Sequence, residues 1–95
     1  MKRPASDQSR TLIIRNKRGL HARASAKFVQ LVESYDAEVT VAKGDISVGG
    51  TSIMGLMMLA ASPGCEITVS AGGPQAGKVL DAVCQLVADK FGEEM

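Results

Sequence analysis

With 95 residues and a formal net charge of +1, the chain has room for one domain around a single hydrophobic core. Its near-zero charge offers no general attraction to nucleic acid or to an anionic membrane surface. One tyrosine, two phenylalanines and no tryptophan leave little material for a surface that stacks nucleobases. The composition therefore argues against a nucleic-acid-binding or membrane-binding protein.

The N-terminus lacks the apolar run of a signal peptide, and no apolar run approaches the roughly 20 residues that a membrane span needs. We therefore expect a cytoplasmic protein. Cys65 and Cys84 lie in separate apolar segments and fit no paired metal-binding spacing. We expect two buried reduced thiols instead of a disulfide, and no metal or other cofactor.

Residues 1–10 are polar and aperiodic, which predicts a flexible N-terminal tail. The apolar centre of residues 11–15 predicts a first strand. Residues 16–20 predict a turn, in which Gly19 can take a backbone angle that other residues avoid. Helical spacing follows for about three turns. The residues expected on its apolar face include Ala22, Ala26, Val29 and Val32.

Alternating apolar residues predict three further strands. Two of them, residues 37–41 and 46–48, are joined by the turn signal Lys43-Gly44-Asp45 and should form a hairpin. The last strand covers residues 65–71. Each strand has one apolar face, so one antiparallel sheet with helices on one side and water on the other is expected.

Two further helices are predicted. Thr51 or Ser52 can cap a short helix that runs from Ile53 to about residue 60. The last helix should have Pro74 at its first position and Gly92 as its stop. The order is then βαββαβα, an α+β open-faced β-sandwich. We expect one domain over residues 11–92 and a C-terminal tail of residues 93–95.

The only histidine, His21, follows a Gly-Leu turn and precedes the first helical pattern. An imidazole can act as a nucleophile near neutral pH. First-turn amides, together with Arg23, can bind phosphate oxygens. A lone histidine is more often structural, but this setting favours one that takes up a phosphoryl group reversibly. No general base or metal cluster is apparent, so catalytic power would come from a partner protein.

Ser52 and the short helix after it form a second candidate site. The hydroxyl should cap the helix, a contribution of about 1 kcal/mol. The helix is apolar all round, and a short helix on a small domain cannot bury every face. Leu56 and Leu59 are expected in the core. The residues expected in an exposed patch, where methionine can adapt to several partners, are Ile53, Met54 and Met57.

Two motifs carry a family resemblance. Gly19-Leu20-His21-Ala22-Arg23 resembles the active-site signature of HPr, the histidine phosphocarrier family of the bacterial phosphotransferase system. Thr51-Ser52-Ile53-Met54-Gly55-Leu56-Met57 resembles the second signature of that family, around its regulatory serine. The resemblance covers about residues 11–92, and the element order matches the family's fold. The segment Arg23-Ala24-Ser25-Ala26-Lys27-Phe28-Val29 resembles most the HPr and NPr proteins of proteobacteria, especially alphaproteobacteria.

The resemblance implies roles for these residues. His21 would accept a phosphoryl group on Nδ1 from enzyme I, ultimately from phosphoenolpyruvate, and pass it to IIA-type proteins in a sugar or nitrogen-regulatory pathway. Arg23 would bind the phosphate. Ser52 would be phosphorylated by an ATP-dependent HPr kinase. Partners would dock on the exposed patch and on the first helix, at Ala22 and Ala26. A monomer is the expected state for such a relay.

Ala24 departs from the family pattern, because many members have proline directly after this arginine. The helix start is therefore expected to be less rigid, with consequences for transfer rate or partner choice. Two other functions stay open. One is a regulatory binding protein controlled through Ser52 and the methionine-rich helix. The other is an acylphosphatase-type hydrolase, for which we find no water-positioning group beside the anion site.

Overall fold

The computed structural model describes residues 8–93. The strands are β1 (Gln8–Ile13), β2 (Glu38–Lys43), β3 (Ile46–Gly49) and β4 (Glu66–Gly72). The helices are α1 (Ala22–Glu33), α2 (Ile53–Met58) and α3 (Ala76–Ala88), and a 3-10 turn follows at Lys90–Gly92. The four strands form one antiparallel sheet with helices on one face. The predicted α+β open-faced sandwich is confirmed.

The sheet has the order β1-β4-β2-β3. Because side chains alternate along a strand, its two faces differ in polarity. Val41 faces Val69 across β2 and β4, and both are fully buried. One residue along, Thr40 faces Ser70 on the solvent side.

The core lies between the sheet and the helices. Its largest fully buried side chains include Phe28 of α1, Leu56 of α2, Leu80 of α3 and Phe91 of the 3-10 turn. The buried face of α1 differs from the predicted one, because Ala22 is exposed and Ala26 only half-buried. The residues buried instead are Ala24, Ser25, Phe28, Val29 and Val32. A count of apolar residues could not include Ser25, whose hydroxyl donates to the carbonyl oxygen of Leu20 at 3.1 Å.

Several boundaries differ from the predicted ones, among them the end of α3, which is Ala88 where Gly92 was the predicted stop. β1 begins at Gln8, since residues 8–10 pair with residues 69–71 of β4 through backbone hydrogen bonds, which need no apolar pattern. Residues 1–7 of the predicted tail lie outside the described residues. Pro74 precedes α3 and is not its first residue. Gln75 stands between Pro74 and the helix, and its amide donates to the carbonyl oxygen of Asp36 at 3.0 Å.

Cys65 and Cys84 are free thiols, as predicted. Each is half-buried, where full burial was expected. The sulfur of Cys65 lies 3.5 Å from the hydroxyl of Ser62.

Candidate functional site

His21 is the residue immediately before α1, with an extended backbone (φ −76°, ψ −179°). Its side chain makes no capping bond to the helix. Its carbonyl oxygen accepts the first helical hydrogen bond, from the amide of Ser25 at 2.9 Å. The amides of residues 22–24 therefore have no acceptor within the helix. The imidazole, 22% exposed, thus lies at a helix end that attracts anions.

The turn before His21 is fixed by close contact with the segment after α2. Gly19 has φ +64°, and a Cβ at this position would lie 2.1 Å from the carbonyl oxygen of Ala61. The amide of Leu20 donates to that same oxygen at 3.0 Å. This contact ties the start of α1, and with it His21, to the end of the neighbouring helix.

Arg23 is the second residue of α1 and is exposed. It makes no hydrogen bond or ion pair within residues 8–93, so its guanidinium is available to an anion at the helix start. Ala24, at which we expect a departure from the family pattern, is fully buried. The structure thus brings His21 and Arg23 into one helix start, as the sequence predicted; their functional roles stay predictions.

Glu93 completes the surroundings of His21 and was not predicted to belong to the site. Its Oε2 hydrogen-bonds with Nε2 of His21, and its Oε1 accepts from Nδ2 of Asn16 at 3.0 Å. Partial burial disfavours ionisation of this carboxyl, but the hydrogen bonds from Asn16 and His21, with the charges of His21 and Arg18, bring its pKa below the ordinary value. The carboxylate is therefore the form that the site holds.

The contact with Glu93 has no local signal in the sequence. Glu93 was assigned to a C-terminal tail, 72 positions from His21. The one available hint was Phe91, which continues the apolar spacing of α3 and is fully buried. Asn16, in the turn before His21, is also fully buried.

Ser52 lies at the start of α2, in the capping position that the sequence predicted. The amide of Gly55 donates to its hydroxyl oxygen at 2.9 Å. Ser52 is exposed. The hydroxyl is thus structural in this state and is still open to solvent.

The exposed residues of α2 form a surface that we call the α2 patch, made of Ile53, Met54, Met57 and Met58. Met54 and Met58 are 69% and 72% exposed, and Ile53 and Met57 are each 39% exposed. Leu56 and Leu59 are buried. The predicted division between surface and core is confirmed, and Met58 extends the surface beyond the predicted residues. α2 packs against α1, so the patch lies on the helix next to the one that His21 precedes.

Within residues 8–93, no cluster of three or more His, Cys, Asp or Glu side chains could hold a metal ion. In the same part of the chain, no helix is long and apolar enough to cross a membrane.

A family model described as "PTS HPr component phosphorylation site" matches residues 8–89. The chain belongs to the HPr family. It is 45% identical over 86 residues to phosphocarrier protein HPr of Cupriavidus necator, covering 90% of this chain and 96% of that relative. It is 43% identical over 84 residues to phosphocarrier protein NPr of Shewanella violacea, covering 88% and 92% of the two chains.

A solved structure supports the same assignment. HPr-C-His from Thermoanaerobacter tengcongensis matches with a TM-score of 0.88 at 39% identity, covering 93% of this chain and 99% of that one. The predicted family is therefore confirmed, and the chain is an HPr/NPr-type phosphocarrier protein of the phosphotransferase system.

Proposed function

We propose that the chain accepts a phosphoryl group on Nδ1 of His21 from phosphorylated enzyme I and passes it to IIA-type proteins. The phosphoryl group comes ultimately from phosphoenolpyruvate. The pathway is a sugar or nitrogen-regulatory phosphotransferase system, and the chain acts in the cytoplasm as a monomer. Its membership of the HPr family supports this function.

The observation that carries the proposal is the placement of the imidazole. Nε2 of His21 is engaged by Glu93, and Nδ1 has no hydrogen-bond partner within residues 8–93. Nδ1 is thus the ring nitrogen whose lone pair can attack phosphorus. The first-turn amides of α1 and the guanidinium of Arg23 bind the transferred oxygens.

The chain acts as a carrier, and its partners catalyse the transfer. A carrier must give up its phosphoryl group, so the anion site must stabilise phosphate only in part. An exposed helix start, with an Arg23 that makes no ion pair within residues 8–93, fits this requirement. Phosphoryl transfer is then completed by the positioning and charge that the donor and acceptor proteins supply.

Partners dock on the α2 patch and on the adjoining part of α1, at Ala22 and Ala26. Apolar side chains as exposed as Met54 and Met58 favour association when a partner covers them. Ser52 borders this surface. Its phosphorylation by an HPr kinase would add about two negative charges there and weaken association with an acidic partner.

Incubation with enzyme I and labelled phosphoenolpyruvate tests the proposal. The chain should gain an acid-labile, base-stable phosphoryl group, and H21A should gain none. R23A should be labelled about tenfold more slowly, since one charged contact to the phosphoryl group is lost. K78A is the control, because Lys78 is exposed in the first turn of α3, at the other end of that helix from Glu93.

If H21A is labelled as strongly as the unaltered chain, the carrier function is wrong. The regulatory binding protein would then be the better description. Mass spectrometry of the protein isolated from cells, read at His21 and Ser52, gives the corresponding answer in vivo.

A further inference from the structure

The segment after α3 turns back toward the start of α1. α3 ends at Ala88, and the 3-10 turn Lys90–Gly92 then leads to Glu93. Phe91, at the centre of this turn, is fully buried in the core. Because Phe91 is buried, the last described residues of the chain lie beside His21, although they are far from it in sequence.

Two features hold this return segment in place. Nζ of Lys27, on α1, donates to the carbonyl oxygen of Phe91 at 2.7 Å. Lys90 and Phe91 both have positive φ angles, +57° and +56°, a conformation that is costly for residues with a side chain. Such backbone strain persists only where the surrounding structure over-determines it. The position of Glu93 is therefore set by the fold.

The Glu93 carboxylate uses both oxygens at the turn that begins α1. Oε1 accepts from Nδ2 of Asn16 at 3.0 Å, and Oε2 hydrogen-bonds with Nε2 of His21. Nδ2 of Asn16 also donates to the carbonyl oxygen of Gly19 at 2.8 Å. In this orientation Oδ1 of Asn16 is buried without a partner within residues 8–93. The amide is thus oriented for its donor contacts, one of which holds Glu93.

Glu93 also meets a positive environment. Arg18 lies in the turn before His21, and residues 8–32 contain no aspartate or glutamate. The charge of Arg18 is close enough to contribute to the lowered pKa of the Glu93 carboxyl. A carboxylate beside His21 is therefore supplied from the far end of the chain.

We infer that Glu93 is a positioning residue that keeps the proton of the His21 ring on Nε2, so that Nδ1 presents the lone pair for phosphoryl transfer. This inference rests on the proposed function. A carboxylate acceptor fixes the tautomer and orientation of an imidazole. Glu93 does this while leaving the Nδ1 side of the ring to the phosphoryl donor.

Phosphoryl transfer can proceed while Glu93 holds the proton on Nε2. The Nδ1 lone pair forms a bond to phosphorus, and the bond between phosphorus and the donor atom breaks, with its electron pair leaving on the donor. The proton stays on Nε2, so the ring becomes positively charged as the new bond forms. The Glu93 carboxylate faces that charge. Onward transfer reverses the step, and the cationic ring is the better leaving group.

The tautomer can be measured directly by ¹⁵N NMR of the His21 ring at a pH of about 8, where an ordinary imidazole is neutral. In the unaltered chain the two ring nitrogens should be widely separated, with Nε2 protonated. In E93A this separation should decrease as both tautomers become populated. E93Q keeps the size of the side chain and an acceptor oxygen, and should fall between the two. E33A is the control, since Glu33 is exposed at the opposite end of α1.

Phosphoryl uptake from enzyme I supplies the second measurement. E93A should lower the rate about tenfold, as expected for the loss of one charge-assisted hydrogen bond, and E33A should not change it. Amide NMR spectra identify any variant that fails to fold, in which case E93Q replaces E93A. Unchanged ring-nitrogen shifts in both Glu93 variants, or an unchanged rate, would overturn the inference.

The two proposals fail in different ways. Labelling of H21A would remove the carrier function, and the role of Glu93 with it. If H21A is not labelled and the Glu93 variants match the unaltered chain in both measurements, the carrier function stands and the role of Glu93 is wrong.

Discussion

Gly19 lies against Ala61 so closely that a Cβ at residue 19 would come within 2.1 Å of the carbonyl oxygen of Ala61. The adjacent amide, of Leu20, donates to that same oxygen at 3.0 Å. The backbone that leads into His21 is thus packed against the segment after α2 by direct contact. Replacement of Gly19 should therefore affect both folding and the position of His21.

G19A should lower the free energy of unfolding by about 2–4 kcal/mol, the sum of a left-handed backbone penalty and an overpacking penalty. Gly44 provides the matched control, because it also has a positive φ (+59°) but has no atom within 4 Å of its Cβ position. G44A should cost only about 1 kcal/mol. Urea denaturation of both variants measures the difference. Equal losses would show that the contact with Ala61 has no energetic weight.

A24P should be tolerated, with a change in unfolding free energy within about 1 kcal/mol. Ala24 lies in the first turn of α1, where an amide has no helical acceptor to lose, although its full burial leaves little room for the ring. A26P is the contrasting variant. Ala26 follows the first turn, so proline there removes a helical hydrogen bond and should cost about 3 kcal/mol or more. Thermal or urea unfolding of the two variants would contradict this account if their stabilities were equal.

Features that depend on neighbouring residues could be predicted from the sequence, and features that depend on contacts distant along the chain could not. The placement of His21 and Arg23 at a helix start, and of Ser52 as a cap, follows from neighbouring residues, so local patterns were sufficient to predict it. The exposure of Met54 could be predicted because α2 has more apolar residues than one buried face of a short helix can hold. These features depend on interactions within one turn of helix.

Glu93 could not be predicted because its position depends on contacts distant in sequence. The burial of Phe91 and the hydrogen bond from Lys27 direct the chain back to His21. Lys90 and Phe91 have positive φ angles there, which the conformational preferences of these residues do not favour. Gln8 entered β1 for a similar reason, since pairing with β4 and not its own polarity decides its structure. Long-range pairing was the missing information in both cases.

S52A should destabilise the chain by about 1 kcal/mol, because the amide of Gly55 loses its side-chain acceptor. T51A is the control; Thr51 is exposed beside Ser52 and makes no side-chain hydrogen bond within residues 8–93. Its substitution should change stability by less than about 0.5 kcal/mol. S52D should keep the cap and yet slow labelling by enzyme I, since it adds a negative charge next to the α2 patch. A normal labelling rate for S52D would contradict the proposed regulatory role.

The contact between Glu93 and His21 should make stability depend on pH in the acid range. The pKa of Glu93 is lower in the folded chain than its ordinary value, so the unfolded state binds more protons at this group. Its stabilising contribution is therefore present above the unfolded pKa, roughly 4.3, and is lost as the pH falls through the folded pKa. The stability advantage over E93Q should shrink across this acid range, and a constant difference would contradict the assignment.

M54K tests the α2 patch as a docking surface. Met54 is 69% exposed, so the lysine can reach water and stability should change by less than about 0.5 kcal/mol. If a partner buries this side chain, the introduced charge must lose its hydration, and the kcat/KM for labelling by enzyme I should fall about tenfold or more. I46K is the matched control, because Ile46 is 53% exposed but lies at the turn of the β2–β3 hairpin. Steady-state labelling at several concentrations of the chain would contradict docking at the α2 patch if M54K and I46K behaved alike.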